Sequence, residues 1–393
     1  MARNSEEPQF LRNIGMVMTF KCQVACPHCV IGAGPNRKEE MRIEDLSSWI
    51  RQASAYRNGH ILAVGLTGGE PFYNLQKLRT VVDLTVSNGM LPTAVTNAFW
   101  AESREKAMEV LNFLPGLHVI SVSADAYHQA QIPFENVKNA VLAARELGRI
   151  CEVAVCTEDE RDSEYLNLLQ RLRAFIEEDA ISTNVTFPGG RALARMDTFR
   201  YQMTPEGPNA ACGAASTPTI FPDGRVFACV GSVIDLHSAH PLLLGNLHDT
   251  PLAEILDAAE RSAILHFLRL WGPGRLLALL KNEGCTAKLP VLFVKNGLCN
   301  LCYALMSDPD LCALMTKMLN ERHILEKIAY ARMFYFDEVE MVEDMHLIQE
   351  DSAASWADAS SVFTQQSSRP SHRQDDHDDK SKEICYGYQG CKR

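Results

Sequence analysis

Three closely spaced cysteines near the start of the chain restrict its fold more than any other feature. Cys22, Cys26 and Cys29 form a C-x3-C-x2-C pattern directly after an apolar run at residues 16–19. Three thiolates on one short loop suit three corners of a cubane [4Fe–4S] cluster and leave the fourth iron open. An open coordination position is typical of a reactive metal site. A zinc knot is the alternative, but its fourth ligand would have to be His28, which lies between two of the cysteines.

The number and grouping of the cysteines also favour metal ligation. The chain has 13 cysteines in 393 residues. Structural disulfides are rare in reducing compartments, and an odd, clustered set of thiols fits iron–sulfur or metal sites better than a disulfide framework.

Charge and hydropathy narrow the range of partners. The net charge of −11 repels phosphate backbones, so we expect no nucleic-acid partner. The first residues contain acids and no long apolar stretch, so they do not resemble a signal peptide. Because no run of 18 apolar residues occurs, we expect no membrane-spanning helix and no membrane partner. These features predict a cytoplasmic protein.

Short apolar runs alternate with amphipathic segments over residues 16–190. This alternation predicts an α/β fold in which buried parallel strands are joined by helices. Six strands suggest an open or partial (β/α)6 TIM-like barrel. The predicted strands are residues 16–19, 61–66, 92–96, 117–123, 151–156 and 184–187, and the predicted helices are residues 43–56, 75–87, 103–113, 134–147 and 163–178.

Four short elements follow the ends of the second, third, fourth and sixth predicted strands, where parallel α/β folds bind ligands. Glycines at such a position let the backbone approach a ligand closely. The elements are Thr67-Gly68-Gly69-Glu70-Pro71, Thr96-Asn97, Ser121-Val122-Ser123-Ala124-Asp125 and Phe187-Pro188-Gly189-Gly190-Arg191-Ala192.

The cysteine motif and these elements, in this order, resemble the radical S-adenosylmethionine (SAM) superfamily over about residues 14–192. The resemblance implies that Cys22, Cys26 and Cys29 bind a [4Fe–4S] cluster whose open iron chelates SAM. His28 stands where the family often has an aromatic residue. The resemblance also implies SAM contacts from Gly68, Gly69 and Glu70 at the amino group, from Asn97, Ser123 and Asp125 at the ribose, and from Gly190 near the adenine.

The implied activity is that of a radical SAM oxidoreductase or maturase. Such an enzyme reductively cleaves SAM to a 5′-deoxyadenosyl radical, which abstracts a hydrogen from the substrate. An electron donor such as flavodoxin or ferredoxin would reduce the cluster. A non-enzymatic iron–sulfur module would explain the cysteines but not the glycine-rich and Ser-x-Asp elements. The sequence does not identify the catalytic residues; among His118, Tyr127 and His128, the last two are candidates for the pocket as much as for the surface.

A second group of cysteines follows the predicted barrel. Cys212, Gly224 and Cys229 frame a hairpin with a Pro-Asp-Gly turn at residues 222–224. This spacing resembles the SPASM or twitch extension of radical SAM enzymes, which implies an auxiliary [4Fe–4S] cluster. Buried structural thiols or a zinc site are the alternatives. The predicted ligands are Cys212, Cys229, Cys299 and Cys302, with Cys285 and Cys312 as competitors for the last places.

The sequence therefore divides into three predicted parts. Residues 1–200 form the radical SAM core, residues 201–348 form the SPASM-like or twitch-like domain with its C-terminal helices, and residues 349–393 form a polar tail of disorder-type composition. The tail ends with Cys385 and Cys391, which are either exposed thiols, part of the auxiliary site, carriers of reducing equivalents or a mimic of a peptide substrate. Cys151 and Cys156 fall in a predicted strand and are expected to be core thiols.

Two classes of substrate fit these features. The first is a ribosomally synthesised peptide that the enzyme crosslinks, epimerises or oxidises. Only 21 residues precede Cys22, so a separate leader-peptide-binding protein is expected to present the peptide. The second is a sugar or other small metabolite, on which the enzyme would act as a dehydrogenase, epimerase or dehydratase. The sequence identifies neither the substrate nor the reaction outcome.

Overall fold

Six parallel strands form the body of the main sheet. The computed structural model describes residues 9–338, apart from the side chains of residues 196 and 197. The strands pair in chain order, β1 with β2 and so on to β5 with β6, and each connection carries at least one helix. This arrangement confirms the predicted partial (β/α)6 barrel. The strands are β1 (Asn13–Thr19), β2 (Ala63–Gly68), β3 (Leu91–Thr96), β4 (Val119–Ser123), β5 (Ile150–Thr157) and β6 (Ile181–Val185).

The helices of the barrel pack one apolar face against this sheet. In the first helix, Leu46, Trp49, Ile50 and Ala53 are buried at helical spacing. Gly89 and Gly148 adopt φ values of 76° and 67° just after two of the helices, where a left-handed residue ends a helix. The helices are α1 (Ile43–Ala55), α2 (Leu75–Ser87), α3 (Arg104–Asn112), α4 (Ala126–Gln129), α5 (Phe134–Glu146) and α6 (Ser163–Leu172).

Two boundaries near the end of the barrel differ from the sequence-based expectation. The helix predicted over residues 163–178 ends at Leu172, and the turn that follows buries Ile176 at 3% exposure. The strand predicted at 184–187 lies at Ile181–Val185. The chain therefore leaves the sheet earlier, and residues 186–192 form a loop at its carboxyl edge.

The predicted hairpin is present and extends the same sheet. Strands β8 (Thr219–Ile220) and β9 (Arg225–Phe227) are antiparallel, and β8 runs parallel to β1. Strand β10 (Leu243–Asn246) continues the sheet, while β7 (Met203–Thr204) and β11 (Phe293–Val294) form a separate pair. The second cysteine region is therefore joined to the barrel through backbone hydrogen bonds.

Helices complete the C-terminal region. The central one, α8, is kinked at Gly272, where a Cβ atom would lie 1.7 Å from the Ala210 carbonyl oxygen. By length and composition this helix is apolar enough to cross a membrane, but 67% of its most apolar window is buried inside the protein, as in a core helix. The helices are α7 (Leu252–Glu260), α8 (Ala263–Asn282), α9 (Leu298–Met306), α10 (Pro309–Leu319) and α11 (Arg322–Phe336).

A buried ion cluster fastens these helices to the start of β1. Glu338 accepts hydrogen bonds from Arg269 at 2.7 Å, from Arg332 at 2.9 Å and from the Phe10 backbone N–H at 2.8 Å. Arg332 also donates to Glu260. Breaking one partner of such a buried pair leaves an uncompensated charge. The predicted tail, residues 349–393 with Cys385 and Cys391, lies outside the described residues.

Candidate active site

A cavity of about 270 Å³ opens at the carboxyl ends of the barrel strands. Most of the predicted site residues line it, although they come from different strands. Glu70, Asp125 and Gly190 are not among the lining residues and have other contacts, described below. The predicted residues that line the cavity are Cys22, Cys26, Cys29, Gly68, Gly69, Asn97 and Ser123.

The segment from Phe20 to Gly34, here called the cysteine loop, folds back on itself by backbone hydrogen bonds. The Cys22 N–H donates to the Gly34 carbonyl at 3.2 Å, and the Cys29 N–H donates to the Cys26 carbonyl at 3.2 Å. These turns bring the three thiols to one wall of the cavity. All three cysteines are free of disulfides.

Hydrogen-bond donors surround the sulfurs of this loop. The side-chain amide of Asn97 lies 3.6 Å from Cys22 Sγ, and the Ala33 N–H lies 3.3 Å from Cys29 Sγ. Donors of this kind stabilise thiolates and tune an iron–sulfur cluster. Burial raises the pKa of Cys22 to about 12, so metal binding would have to displace its proton.

No three cysteine sulfurs of the described residues are gathered as closely as a zinc ion would hold them. A tetrahedral zinc site with Zn–S bonds near 2.3 Å holds its sulfurs roughly 3.8 Å apart. Within residues 9–338, no three cysteine sulfurs lie within 4.8 Å of one another. Each thiolate of a [4Fe–4S] cluster binds a different iron and therefore stands farther from the others. The donor set fits the cluster.

The glycines at the end of β2 also allow two segments of backbone to pack closely. A Cβ atom on Gly68 would lie 2.4 Å from the Thr19 carbonyl oxygen, and one on Gly69 would lie 2.2 Å from that of Lys21. Glycine is therefore required for the end of β2 to contact the start of the cysteine loop.

The Glu70 carboxylate is fully buried, and its oxygens accept hydrogen bonds from other groups of the protein. It accepts hydrogen bonds from the Phe72 N–H at 3.1 Å, the Thr96 hydroxyl at 2.8 Å and the Asn97 N–H at 2.8 Å. Burial raises its pKa to about 7. Glu70 thus joins the ends of β2 and β3 and positions Asn97 beside Cys22, and its predicted contact with SAM stays a prediction. Of this element, Thr67, Gly68 and Gly69 line the cavity.

The loop after β6 holds the cysteine loop from the other side. A Cβ atom on Gly190 would lie 2.1 Å from the Val30 carbonyl oxygen. The Arg191 N–H donates to the Cys29 carbonyl at 3.0 Å, and its guanidinium donates to the carbonyls of Cys26 and Ala33. Gly190 therefore supports the loop in this structure, and its predicted contact near the adenine stays a prediction.

The Asp125 carboxylate faces histidines rather than the cavity. It lies 2.8 Å from His128 Nδ1 and 3.6 Å from His28 Nε2, and it accepts a hydrogen bond from Cys156 Sγ at 3.1 Å. Although burial opposes ionisation, His128 holds the pKa of Asp125 below its usual range. His128, His28 and Cys156 line the cavity, so they stand between Asp125 and any ligand there.

Sequence reasoning named Asp125, His128 and His28 but missed the fourth member of this group. Cys156 was expected to be a core thiol, yet it lines the cavity. The available signal was its place next to the end of β5, which matches the place of the other elements on their strands. The Tyr127 hydroxyl donates a hydrogen bond to the Glu158 carboxylate at 2.6 Å. His118 is exposed at the opposite end of β4.

A second cavity collects the other predicted cysteine ligands. Cys229 follows β9, Cys212 precedes a short 3-10 helix, and the remaining two thiols belong to α9. Cys285 and Cys312 are not among its lining residues, and Cys312 Sγ lies 3.4 Å from the Met306 carbonyl instead. The cysteines that line this cavity are Cys212, Cys229, Cys299 and Cys302.

The two cavities share a wall. Val230, the residue after Cys229, lines both of them. The segment that follows supports both sites, since the Ser232 hydroxyl donates to the Cys299 carbonyl at 2.7 Å and the Asp235 carboxylate accepts from the Gly190 N–H. The two cavities therefore adjoin each other along this segment.

Residues 16–172 match the radical SAM superfamily. This part of the chain is a radical SAM domain. Proteins of this family use a [4Fe–4S] cluster and SAM, which agrees with the cysteine loop and its cavity. The match ends before the second cysteine group, so it leaves the SPASM-like or twitch-like assignment a prediction.

Similar proteins extend over more of the chain. The putative peptide biosynthesis protein YydG of Bacillus subtilis (strain 168) is 19% identical over 304 residues, which are 76% of this chain and 93% of that protein. Among solved structures, native anSMEcpe with bound AdoMet has a TM-score of 0.47 at 14% identity and covers 81% of this chain and 99% of its own. Methylornithine synthase (PylB) has a TM-score of 0.37 at 15% identity, over 47% of this chain and 56% of its own.

Proposed function

We propose that this radical SAM domain belongs to an enzyme that modifies a ribosomally synthesised peptide. The observation that carries the proposal is the similarity to a putative peptide biosynthesis protein, which spans 304 aligned residues. The radical SAM match covers only residues 16–172, so the similarity includes parts of the chain outside that domain. The proposed oxidoreductase or maturase activity therefore concerns the whole enzyme and not its radical SAM domain alone.

The proposed SAM site is the larger cavity. Cys22, Cys26 and Cys29 would hold the [4Fe–4S] cluster, which when bound supplies the electron that cleaves SAM and starts hydrogen abstraction from the substrate. Gly68 and Gly69 present their backbone to the cavity, and Asn97 and Ser123 offer polar side chains to the ligand. Much of the remaining wall is apolar, and an apolar wall around the ligand would limit side reactions of a reactive intermediate with water. The apolar lining residues are Val17, Val24, Val30, Ile31, Ala33, Val95, Val185, Phe187 and Val230.

The second cavity is the proposed auxiliary-cluster site. Its four cysteines are partly buried, and desolvation raises the pKa of Cys299 to about 12 and that of Cys302 well above its usual value. Thiols in such surroundings are inert unless a metal displaces their protons. Because Val230 lines both cavities, we infer that a substrate in the larger cavity would lie on the side of the auxiliary cluster.

The proposal also includes two partner proteins and a cytoplasmic location. An electron donor such as flavodoxin or ferredoxin would reduce the first cluster, and a leader-peptide-binding protein would present the peptide. Free thiols throughout the described residues suit the reducing cytoplasm.

Anaerobic reconstitution followed by incubation with SAM, dithionite and the peptide encoded beside the gene tests the proposal. Two clusters predict about eight irons per chain and one predicts about four. We expect 5′-deoxyadenosine to form and the peptide mass to change. Formation of 5′-deoxyadenosine with an unchanged peptide, while a sugar or other metabolite is consumed, would reject the peptide assignment. Absence of 5′-deoxyadenosine with an intact cluster would reject the enzyme assignment.

A further inference from the structure

Gly231 lies beside two of the cysteines that line the second cavity, and it lines the same cavity. A Cβ atom built on Gly231 would lie 3.3 Å from Cys229 Sγ and 3.6 Å from Cys299 Sγ. Apart from the adjacent residues of the chain, it would meet no other heavy atom of the described residues within 4 Å. The missing side chain therefore leaves open space between the two thiols.

The backbone gives no reason for a glycine at this position. Gly231 has a φ of −129° and a ψ of −175°, an extended conformation that any residue adopts. Gly190 is different, because its φ is 54° and a Cβ atom there would lie 2.1 Å from the Val30 carbonyl oxygen. A glycine in an extended segment also loses more conformational entropy on folding than an alanine would. The space beside Gly231, rather than its backbone, is therefore the feature that a side chain would remove.

Neighbouring contacts hold Gly231 in place beside the thiols. The hydroxyl of the buried Ser232 donates to the Cys299 carbonyl at 2.7 Å, and the Ile234 N–H donates to the Gly231 carbonyl at 3.2 Å. The loop after β6 packs against the same segment, since a Cβ atom on Gly189 would lie 3.2 Å from Ser232 Cα. Moving Gly231 back to make room for a side chain would break these contacts, and breaking a buried hydrogen bond is costly.

The arrangement of the sulfurs indicates what the open space would hold. Within residues 9–338, no three cysteine sulfurs lie within 4.8 Å of one another, so the thiols of this cavity are spread more widely than a zinc ion would hold them. In a [4Fe–4S] cluster each thiolate binds a different iron, and irons and inorganic sulfides fill the space between the thiolates. A methyl group within 3.6 Å of both sulfurs would lie in that space.

We propose that Gly231 keeps the space between Cys229 and Cys299 free for the auxiliary cluster, so that alanine at this position excludes the cluster and leaves the fold intact. In the apo-protein each thiol is able to rotate about its Cα–Cβ bond and make room for a methyl group. A thiolate that is bound to iron has no such freedom. The inference rests on the auxiliary cluster of the proposed function and adds the residue that allows the cluster to fit.

The test compares the iron content and EPR spectra of the full-length chain with those of G231A, G231V and G65A after anaerobic reconstitution. We expect G231A and G231V to fall from about eight to about four irons per chain. Both should lose the EPR signal that does not respond to SAM and keep the signal that does. G65A adds the same methyl group to β2, where the nearest heavy atom is Thr93 Oγ1 at 3.6 Å, and should keep about eight irons.

Thermal unfolding of the apo-proteins separates loss of the cluster from loss of the fold. Because the φ and ψ values of Gly231 suit alanine, the Tm of apo-G231A should differ from that of the unaltered apo-protein by less than about 4 °C. A much lower Tm would show that the glycine serves the fold itself and would reject the proposal.

The remaining outcomes distinguish this proposal from the proposed function. About eight irons in G231A reject the proposal and leave the proposed function intact. About four irons in the unaltered protein, with or without a zinc ion in the second cavity, reject the auxiliary cluster and this inference together, while SAM cleavage and the change in peptide mass still test the radical SAM activity. A protein without any SAM-responsive cluster rejects the proposed function.

Discussion

The two candidate cluster sites are built in opposite ways. The first takes its three thiols from residues 22–29, and hydrogen bonds within the cysteine loop bring them together. The second takes its thiols from residues 212, 229, 299 and 302, which meet only after the hairpin, α8 and α9 have packed. Closing loops of such length costs more conformational entropy. The first site is therefore a local structure that the barrel supports, whereas the second is a product of tertiary packing.

The supports of the two sites differ as well. Backbone carbonyls of the cysteine loop are held by Arg191, and polar donors such as Asn97 surround its sulfurs. The second site is enclosed mainly by apolar side chains, including Leu242 and Leu268. Variants that remove a single contact should therefore affect the two sites separately.

The largest expected effect is the loss of SAM cleavage in C22A. One of three ligands on the loop would be missing, so the first cluster should not assemble, while the second remains. Iron analysis should fall from about eight to about four per chain, and 5′-deoxyadenosine should be undetectable. C151A, on the barrel strand β5, is the matched control and should retain both. Undiminished SAM cleavage in C22A would contradict the assignment of the first site.

A second comparison decides which cysteines form the second site. C302A should lose about four irons per chain but keep the cluster that responds to SAM, because Cys302 lines the second cavity only. C285A should keep all of its iron, since Cys285 is not among the lining residues. Equal iron contents of C302A and C285A would contradict the proposed ligand set.

E338Q should destabilise the scaffold of the second site. Glu338 is 4% exposed and pairs with Arg269 and Arg332, so removing its charge should lower the free energy of unfolding by about 3–5 kcal/mol. Chemical denaturation of the apo-protein measures this value. The exposed pair of Glu326 with Arg322 is the control, and E326Q should change stability by less than about 1 kcal/mol. A similar small effect of E338Q would show that the ion cluster does not hold the helices together.

The ionisation of Glu338 should also make the free energy of unfolding depend on pH. Burial opposes its ionisation, but Arg269 and Arg332 hold the pKa of Glu338 below its usual range. Its contribution to stability is thus complete above the usual glutamate pKa of about 4.3 and is lost as the pH falls through the lower folded-state value. The stability difference between the unaltered protein and E338Q should shrink in that acidic range. A difference that grows on acidification would contradict this sign.

R191L should have the smallest effect and act on the first site alone. The guanidinium of Arg191 donates to two carbonyls of the cysteine loop, and their loss should cost the loop about 2 kcal/mol. Amide hydrogen exchange at residues 22–34 should then become about 30-fold faster, while α9 remains protected. The control is R195L, because Arg195 is exposed and lies just after the loop formed by residues 186–192. Faster exchange in α9 instead would mean that Arg191 supports the second site.

The sequence predicted the barrel well because its strands and helices have distinct periods of apolar residues. It was less accurate at α6, where Ile176 continues the apolar pattern after the helix has ended. It also misplaced Cys156, because alternation along β5 does not show which side chain reaches the open end of the sheet. Only the position of Cys156 near the end of β5 could have suggested that it lines the cavity.

The sequence by itself determined the first cysteine set and the order of strands and helices, because both depend on residues close together in the chain. The tertiary structure decided which distant thiols share the second cavity and that Val230 lines both cavities. It also directed Glu70 to the ends of β2 and β3, and Asp125 to His128, rather than to the cavity. Those choices depend on which buried donors and acceptors meet across strands, and local sequence patterns do not specify such contacts.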